Sequence, residues 1–196
     1  MKKLMLMIAF MAVTFSASAQ VYIGGGIGFN SYKPYHHEKA DVDTKTTINL
    51  VPEIGYKLDD NMSIGLMLGY GHSKEGDLKN DVFAIEPYIR YTFVKWNKVS
   101  LFGEASFGYA HLKETKTYND EDTGKEYSES EKASEWGIGV RPGIAIDLTD
   151  KLTLLTRVGY LGYTSYKPDG DNIKASSEFD FNLNGENLKF SLIYNF

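Results

Sequence analysis

The chain of 196 residues carries 21 Lys and Arg against 26 Asp and Glu, for a formal net charge of -5, and it has no cysteine. Without cysteine there are no disulfides, thiolate metal ligands or thiol nucleophiles, and an acidic balance lacks the basic patch that nucleic-acid binding calls for. Beyond Phe15 no apolar run approaches the roughly 20 residues of a membrane-spanning helix, so any insertion into a bilayer is by strands.

Residues 1–19 read as a secretory signal. Lys2 and Lys3 form the basic start, Leu4 to Phe15 the apolar stretch, and Ala17-Ser18-Ala19 the small-x-small pattern for cleavage before Gln20. The apolar stretch is too short to span a membrane, and no stop-transfer charges follow it. Cleavage removes two lysines and moves the formal charge from -5 to -7. Residues 20–196 suit one domain.

The chain then alternates with a period of two in eight successive segments. Val21, Ile23, Ile27 and Phe29 share one face of the first, opposite Tyr22, Gly24, Gly26, Gly28 and Asn30. Ile48, Leu50, Pro52, Ile54, Tyr56 and Leu58 mark the second, and Ile64, Leu66, Leu68 and Tyr70 the third. Phe83, Ile85, Pro87, Ile89, Tyr91 and Phe93 define the fourth, and Val99, Leu101, Ala105, Phe107 and Tyr109 the fifth. Trp136, Ile138, Val140, Pro142, Ile144 and Ile146 form the sixth; Leu152, Leu154, Val158 and Tyr160 form the seventh. In the last, Leu188, Phe190, Leu192, Tyr194 and Phe196 alternate with Lys189, Ser191, Ile193 and Asn195. Each is about the 10 residues that a tilted strand needs to cross a bilayer.

Short connections at 59–61, 95–98 and 148–151 alternate with longer polar ones around 32–45, 72–81, 113–133 and 165–178. Four long and three short connections require eight strands, with short turns on one side and long loops on the other. The face opposite the apolar one is Gly, Ser and a few charges, too small and too polar for a water-excluding core. The apolar face therefore points outward, into lipid. The expected fold is all-β, an eight-stranded antiparallel up-and-down transmembrane barrel. Tyr56, Tyr70, Tyr91, Tyr109, Trp136 and Tyr160, with Tyr194 and Phe196, fall near strand ends as an aromatic girdle should.

Signal, strand grammar and the closing Tyr194-Asn195-Phe196 together resemble a small OmpX-like outer-membrane β-barrel of Gram-negative bacteria, over all of residues 20–196. The resemblance implies an integral outer-membrane location among lipid and lipopolysaccharide. It also implies that Tyr194 and Phe196 are read by the outer-membrane assembly machinery. It does not choose among the adhesins, structural anchors, solute conduits and lipid-modifying enzymes built on such barrels.

Inside, Glu53, Glu86, Arg90, Glu104, Arg141 and Arg157 share the lumen face. Three acids and three arginines can neutralise one another through charge-assisted hydrogen bonds, and an eight-stranded barrel is narrow enough for its side chains to fill it. The expectation is a plugged lumen. Pro52, Pro87 and Pro142 lie within strands and point to bulges or bends. The third long loop, Lys113 to Glu135, is acidic, and polar alternation on both sides of Asp122-Thr123-Gly124 suggests that two strands continue outward as a hairpin. Such a charge-rich hairpin reads first as a solvated loop at the level of the lipopolysaccharide that shields the barrel, and as the alternative it offers an edge to an extracellular protein partner by strand addition.

Asn119, Asp120, Glu121, Asp122 and Gly124 look like the start of a calcium loop, but Ser130 stands where the twelfth-position Glu belongs. No metal or cofactor is expected. His72 with Ser73, or His111 with Glu104 or Glu114, supplies scattered pieces of a hydrolase site and no positioned nucleophile. The reading is a non-enzymatic barrel acting in envelope structure or surface contact. A small-solute conduit is the alternative, and a lipid-modifying enzyme ranks behind it.

Overall fold

The computed structural model describes residues 20–33, 43–119, 126–183 and 188–196. The expected signal at 1–19 and the hairpin-tip residues Asp120, Glu121, Asp122 and Gly124 lie outside them.

Ten strands form one antiparallel sheet: β1 (Val21–Tyr32), β2 (Lys45–Lys57), β3 (Met62–Glu75), β4 (Leu78–Trp96), β5 (Val99–Asn119), β6 (Glu126–Asp147), β7 (Leu152–Arg157), β8 (Tyr160–Pro168), β9 (Ser176–Asn182) and β10 (Lys189–Asn195). Neighbours in sequence pair from β1 to β6; β6 pairs with β7, β7 with β10, and β10 with β1, which closes the ring. Closure gives every wall strand a hydrogen-bonding neighbour, which a bilayer demands because lipid cannot satisfy a free amide.

Ten segments make eight staves. β7 and β8 are one stave interrupted by a bulge: Arg157 faces Gly143 of β6 but Leu161 faces Val140, a slip of one residue. Gly159 takes the extra residue at φ +68, a conformation that glycine adopts without a Cβ clash. The Val158 amide donates across the bulge to the Pro142 carbonyl at 2.9 Å. β9 and β10 likewise follow one another along the eighth stave.

The prolines act differently from one another. Opposite Pro142 the neighbouring stave bulges, whereas at Pro52 and Pro87 the pairing with β3 and β5 skips two residues and resumes in unchanged register. A missing amide deletes a rung without forcing a slip. The shift in β4 comes instead between Thr92 and Val94.

Tight turns gather at one end of the barrel. The Asp59 carboxylate accepts hydrogen bonds from the amides of Asn61 and Met62 at 2.7 and 2.8 Å, and Thr149 Oγ1 accepts from Leu152 at 3.1 Å. These two amides hold the Asp59 carboxyl below the usual aspartate range. At the opposite end, the connection expected around 72–81 is not a loop. β3 runs on to Glu75 and β4 starts at Leu78, with Gly76 at φ +56 in the turn, because the polar residues there keep the strand alternation. β5 and β6 do project as the expected hairpin, paired out to Asn119 and Glu126.

Candidate functional site

Four charged side chains from four staves meet across the middle of the barrel. Glu53 comes from β2, Arg90 from β4, Glu104 from β5 and Arg157 from β7, and all four are buried. Glu104 accepts from both arginines: Arg90 through Nε at 3.0 Å and Nη2 at 2.7 Å, Arg157 through Nε at 2.8 Å and Nη2 at 3.1 Å. Glu53 bridges the same pair from the other side, accepting from Arg90 at 2.6 Å and Arg157 at 2.9 Å. Two acids and two arginines leave no net charge, and each oxygen has an ionic donor. That is the condition under which ions are tolerated away from water.

Aromatic rings thicken this layer on one side. Tyr22 and Tyr88 hydroxyls lie 2.7 Å apart, and Tyr88 donates to Glu53 at 2.5 Å. The Arg90 guanidinium sits over the rings of Tyr88 at 4.8 Å, Phe102 at 5.1 Å and Tyr22 at 5.8 Å, a geometry that favours a desolvated cation. Each ring fits where the facing stave has glycine. A Cβ at Gly55 would collide with Tyr22, at Gly65 with Tyr88, and at Gly143 with Phe102. On the other side, Glu86 and Arg141 form a second ion pair, and Arg141 stands 4.0 Å from Glu104 and 5.2 Å from the Tyr160 ring centroid. All six lumen charges expected from the alternation thus belong to one connected set.

The layer divides the interior. An outer vestibule of about 320 Å³ lies above it, lined by Glu86, Arg141, Tyr160 and Lys189 among others, and an inner one of about 190 Å³ lies below, lined by Tyr22, Arg90 and Phe102.

The sequence matches the outer membrane protein beta-barrel domain family over residues 4–196. The chain belongs to that family. Its integral outer-membrane location follows from the match together with the closed barrel, in keeping with the resemblance to small OmpX-like barrels. Among solved structures it is similar to a major outer membrane protein from Thermus thermophilus, at TM-score 0.50 and 13% identity, covering 90% of this chain and 98% of that one. Neisserial surface protein A gives TM-score 0.47 at 13% identity, covering 91% and 98% of the two chains. OprG from Pseudomonas aeruginosa gives 0.47 at 14%, covering 90% and 96%. The likeness to the Thermus thermophilus protein, at 13% identity, speaks to fold alone. No curated protein matches the sequence.

For an outer membrane protein beta-barrel the outward face is the lipid face, and its aromatics fall in two rings. Tyr56, Tyr91 and Tyr194 stand at the tight-turn end, and Tyr70, Tyr109 and Trp136 at the other, all exposed. Phe196 packs edge-on against Tyr194, with centroids 5.2 Å apart. Tyr160 corrects the expected girdle. The Val158-Gly159 bulge reverses the alternation, so Tyr160 turns into the lumen, donates to the Ile138 carbonyl at 3.2 Å and packs beside Arg141. Tyr163 takes the outward position against Trp136, at 5.4 Å between centroids.

Above the outer ring, Tyr118 and Tyr127 stack across the β5–β6 hairpin at 5.2 Å, with Lys116 over Tyr118 at 5.0 Å. On the reverse face Thr115 pairs with Ser130 at 3.1 Å and Thr117 with Ser128 at 3.2 Å. Two of the scattered hydrolase pieces are engaged elsewhere: Glu104 lies in the lumen network, and His72 Nδ1 bonds Asp81 at 2.8 Å, which holds the Asp81 carboxyl low. Sequence alternation places Tyr22 and Tyr88 on the lumen face but assigns them no role, and it leaves Phe102 out altogether. The glycines opposite them are the available signal, interpretable only with the cross-strand register.

Proposed function

We propose that this protein is a closed, non-enzymatic anchor in the outer membrane that displays the β5–β6 hairpin for contact with an extracellular protein. The observation that carries the reading is the Glu53–Arg90–Glu104–Arg157 layer, which spans the lumen between β2, β4, β5 and β7. A solute would have to separate several ionic hydrogen bonds in a low-dielectric interior to pass it, and breaking such pairs is costly. What remains for contact is outside. The hairpin supports that role because its paired strands, stacked tyrosines and cross-strand hydroxyl pairs hold it upright beyond the aromatic ring. Lipid and lipopolysaccharide surround the girdle in this reading, and the terminal Tyr194 and Phe196 serve recognition by the assembly machinery.

The test replaces residues 114–131 by a two-residue turn. The trimmed barrel is expected to keep its heat-dependent shift in gel mobility, because the plug lies far below the cut. It is expected to lose adherence of expressing cells to immobilised extracellular-matrix proteins. Equal adherence by intact and trimmed chains removes the hairpin from the function.

A further inference from the structure

The hairpin sorts its charges by face. Strand alternation puts Lys113 of β5 and Lys132 of β6 on the outward side with Tyr109 and Trp136, and puts Glu114, Glu129 and Glu131 on the lumen side, where Lys116 faces Glu129 and Glu114 faces Glu131. Lys113 and Lys132 stand directly opposite each other across the ladder. Both are exposed, and neither has an ion pair or hydrogen bond among the described residues. Like charges facing each other on adjacent strands repel, and an anion seated between the two ammonium groups removes that repulsion.

The height of the pair is fixed by the aromatic ring beneath it. One rung lies between, where His111 faces Ser134, and the Tyr109 hydroxyl reaches up to Ser134 Oγ at 3.2 Å. Ser134 faces Lys167 of β8 on its other side, so a third exposed lysine flanks the same serine. One rung farther out, Lys79 of β4 faces Lys74 of β3. The acids on this side are fewer or more distant. Asp81 faces Lys113 but is bonded to His72, and Asp169 follows β8 with its amide on the Lys132 carbonyl. Asp77 and Glu126 stand two and three rungs beyond the pair. The outward band from β3 to β8 is therefore net positive.

We propose that Lys113, Lys132 and Lys167 hold a phosphate group on the sugar head of an outer-leaflet lipopolysaccharide. A phosphate offers several anionic oxygens and accepts charge-assisted hydrogen bonds from more than one ammonium group, and lysines beside a membrane surface attract anionic head groups. An aromatic ring marks the level at which head groups begin, so height and charge agree. Below the lysines, Trp136 stacks with Phe107 and packs against Tyr163, at 6.4 and 5.4 Å between centroids, an apolar platform for the acyl chains. The acidic side of the ribbon meanwhile faces the lumen mouth, away from the anionic lipid surface. The proposal rests on the reading that lipopolysaccharide surrounds the girdle, and it does not depend on a protein partner for the hairpin.

The full chain, refolded in maltoside micelles, is titrated with phosphorylated lipid A or with the same lipid stripped of its phosphates, and retained lipid is read by native mass spectrometry. The intact protein is expected to hold the phosphorylated lipid at least tenfold more tightly. Lys113→Gln with Lys132→Gln is expected to weaken it roughly 25-fold, about fivefold for each lysine at an anionic surface. Lys116→Gln removes a positive charge from the lumen side of the same ribbon and is expected to leave binding unchanged. Inorganic phosphate in equal amount is expected to displace no lipid. Each variant is first shown to be folded by its heat-dependent gel shift. Equal retention of the two lipids, unchanged binding by the folded double variant, or a loss in Lys116→Gln as large as one outward lysine accounts for would each overturn the proposal. Displacement by inorganic phosphate would overturn it as a lipid site. Cell adherence is a separate readout, so failure of the hairpin's protein contact leaves this result standing.

Discussion

Removing Glu104 alone should damage the barrel more than removing Glu104 together with Arg90. Glu104 accepts hydrogen bonds from Nε and Nη2 of Arg90 and from Nε and Nη2 of Arg157. Its replacement by leucine leaves two buried guanidinium groups sharing Glu53, so the sealed layer passes from neutral to a net positive charge. Leaving a buried charge uncompensated costs about 3–5 kcal/mol. In Glu104→Leu with Arg90→Leu, the Glu53–Arg157 pair survives at 2.9 Å and the layer is neutral again. The double variant should then recover roughly 2 kcal/mol relative to Glu104→Leu, the order of coupling seen between groups in one network. Urea unfolding of the refolded barrel in lipid vesicles, followed by tryptophan fluorescence from Trp96 and Trp136, gives each stability by linear extrapolation. A single variant within about 1 kcal/mol of wild type, or a double variant equal to the sum of its singles, would refute the network reasoning.

Three further outcomes follow from particular contacts. Gly65→Ala drives a methyl into the Tyr88 ring and should cost about 1–3 kcal/mol in the same urea assay, whereas Gly103→Ala, with no atom within 4 Å of the added carbon, should leave stability unchanged. Asp59 should titrate below the ordinary aspartate range, because two amides bind its charged form. Its turn-stabilising contribution is present above the unfolded-state value and is lost as pH falls through the lowered folded value. NMR shifts of the Asn61 and Met62 amides would show this, and a midpoint at or above the ordinary range contradicts it. Deleting Phe196 removes a partner of the Tyr194 ring far from the ionic layer. It should lower the amount of folded barrel in the outer membrane of expressing cells while leaving urea stability in vesicles near wild type. Unchanged surface levels would argue against an assembly role for the terminal aromatic.

Much of this architecture is legible in the sequence because a barrel wall has one strict period. The alternation that puts Ile85 and Ile89 in lipid also puts Glu86 and Arg90 in the lumen, so the six interior charges can be named without knowing their distances. Partners are less legible. That Glu53 and Glu104 clamp the same two arginines, while Glu86 takes Arg141, depends on stave tilt and register across the ring, which no local pattern encodes. Tyr160 illustrates a different failure: one extra residue at Val158-Gly159 inverts every later side chain on that stave. The connection at 72–81 fails for the opposite reason, since polar residues such as His72 and Asp81 look like loop yet keep their strand pairing beyond the membrane. The seam joins the first stave to the last. It is set by pairing between opposite ends of the chain, where periodicity carries no information.

The central claim is that the Glu53–Arg90–Glu104–Arg157 layer closes the lumen, and planar-bilayer recording on folded, purified protein tests it most directly. Protein whose folding is verified by its gel shift on heating should insert without producing stable current steps at neutral pH. Reproducible unit-conductance steps from the same folded wild-type sample would contradict a plugged barrel.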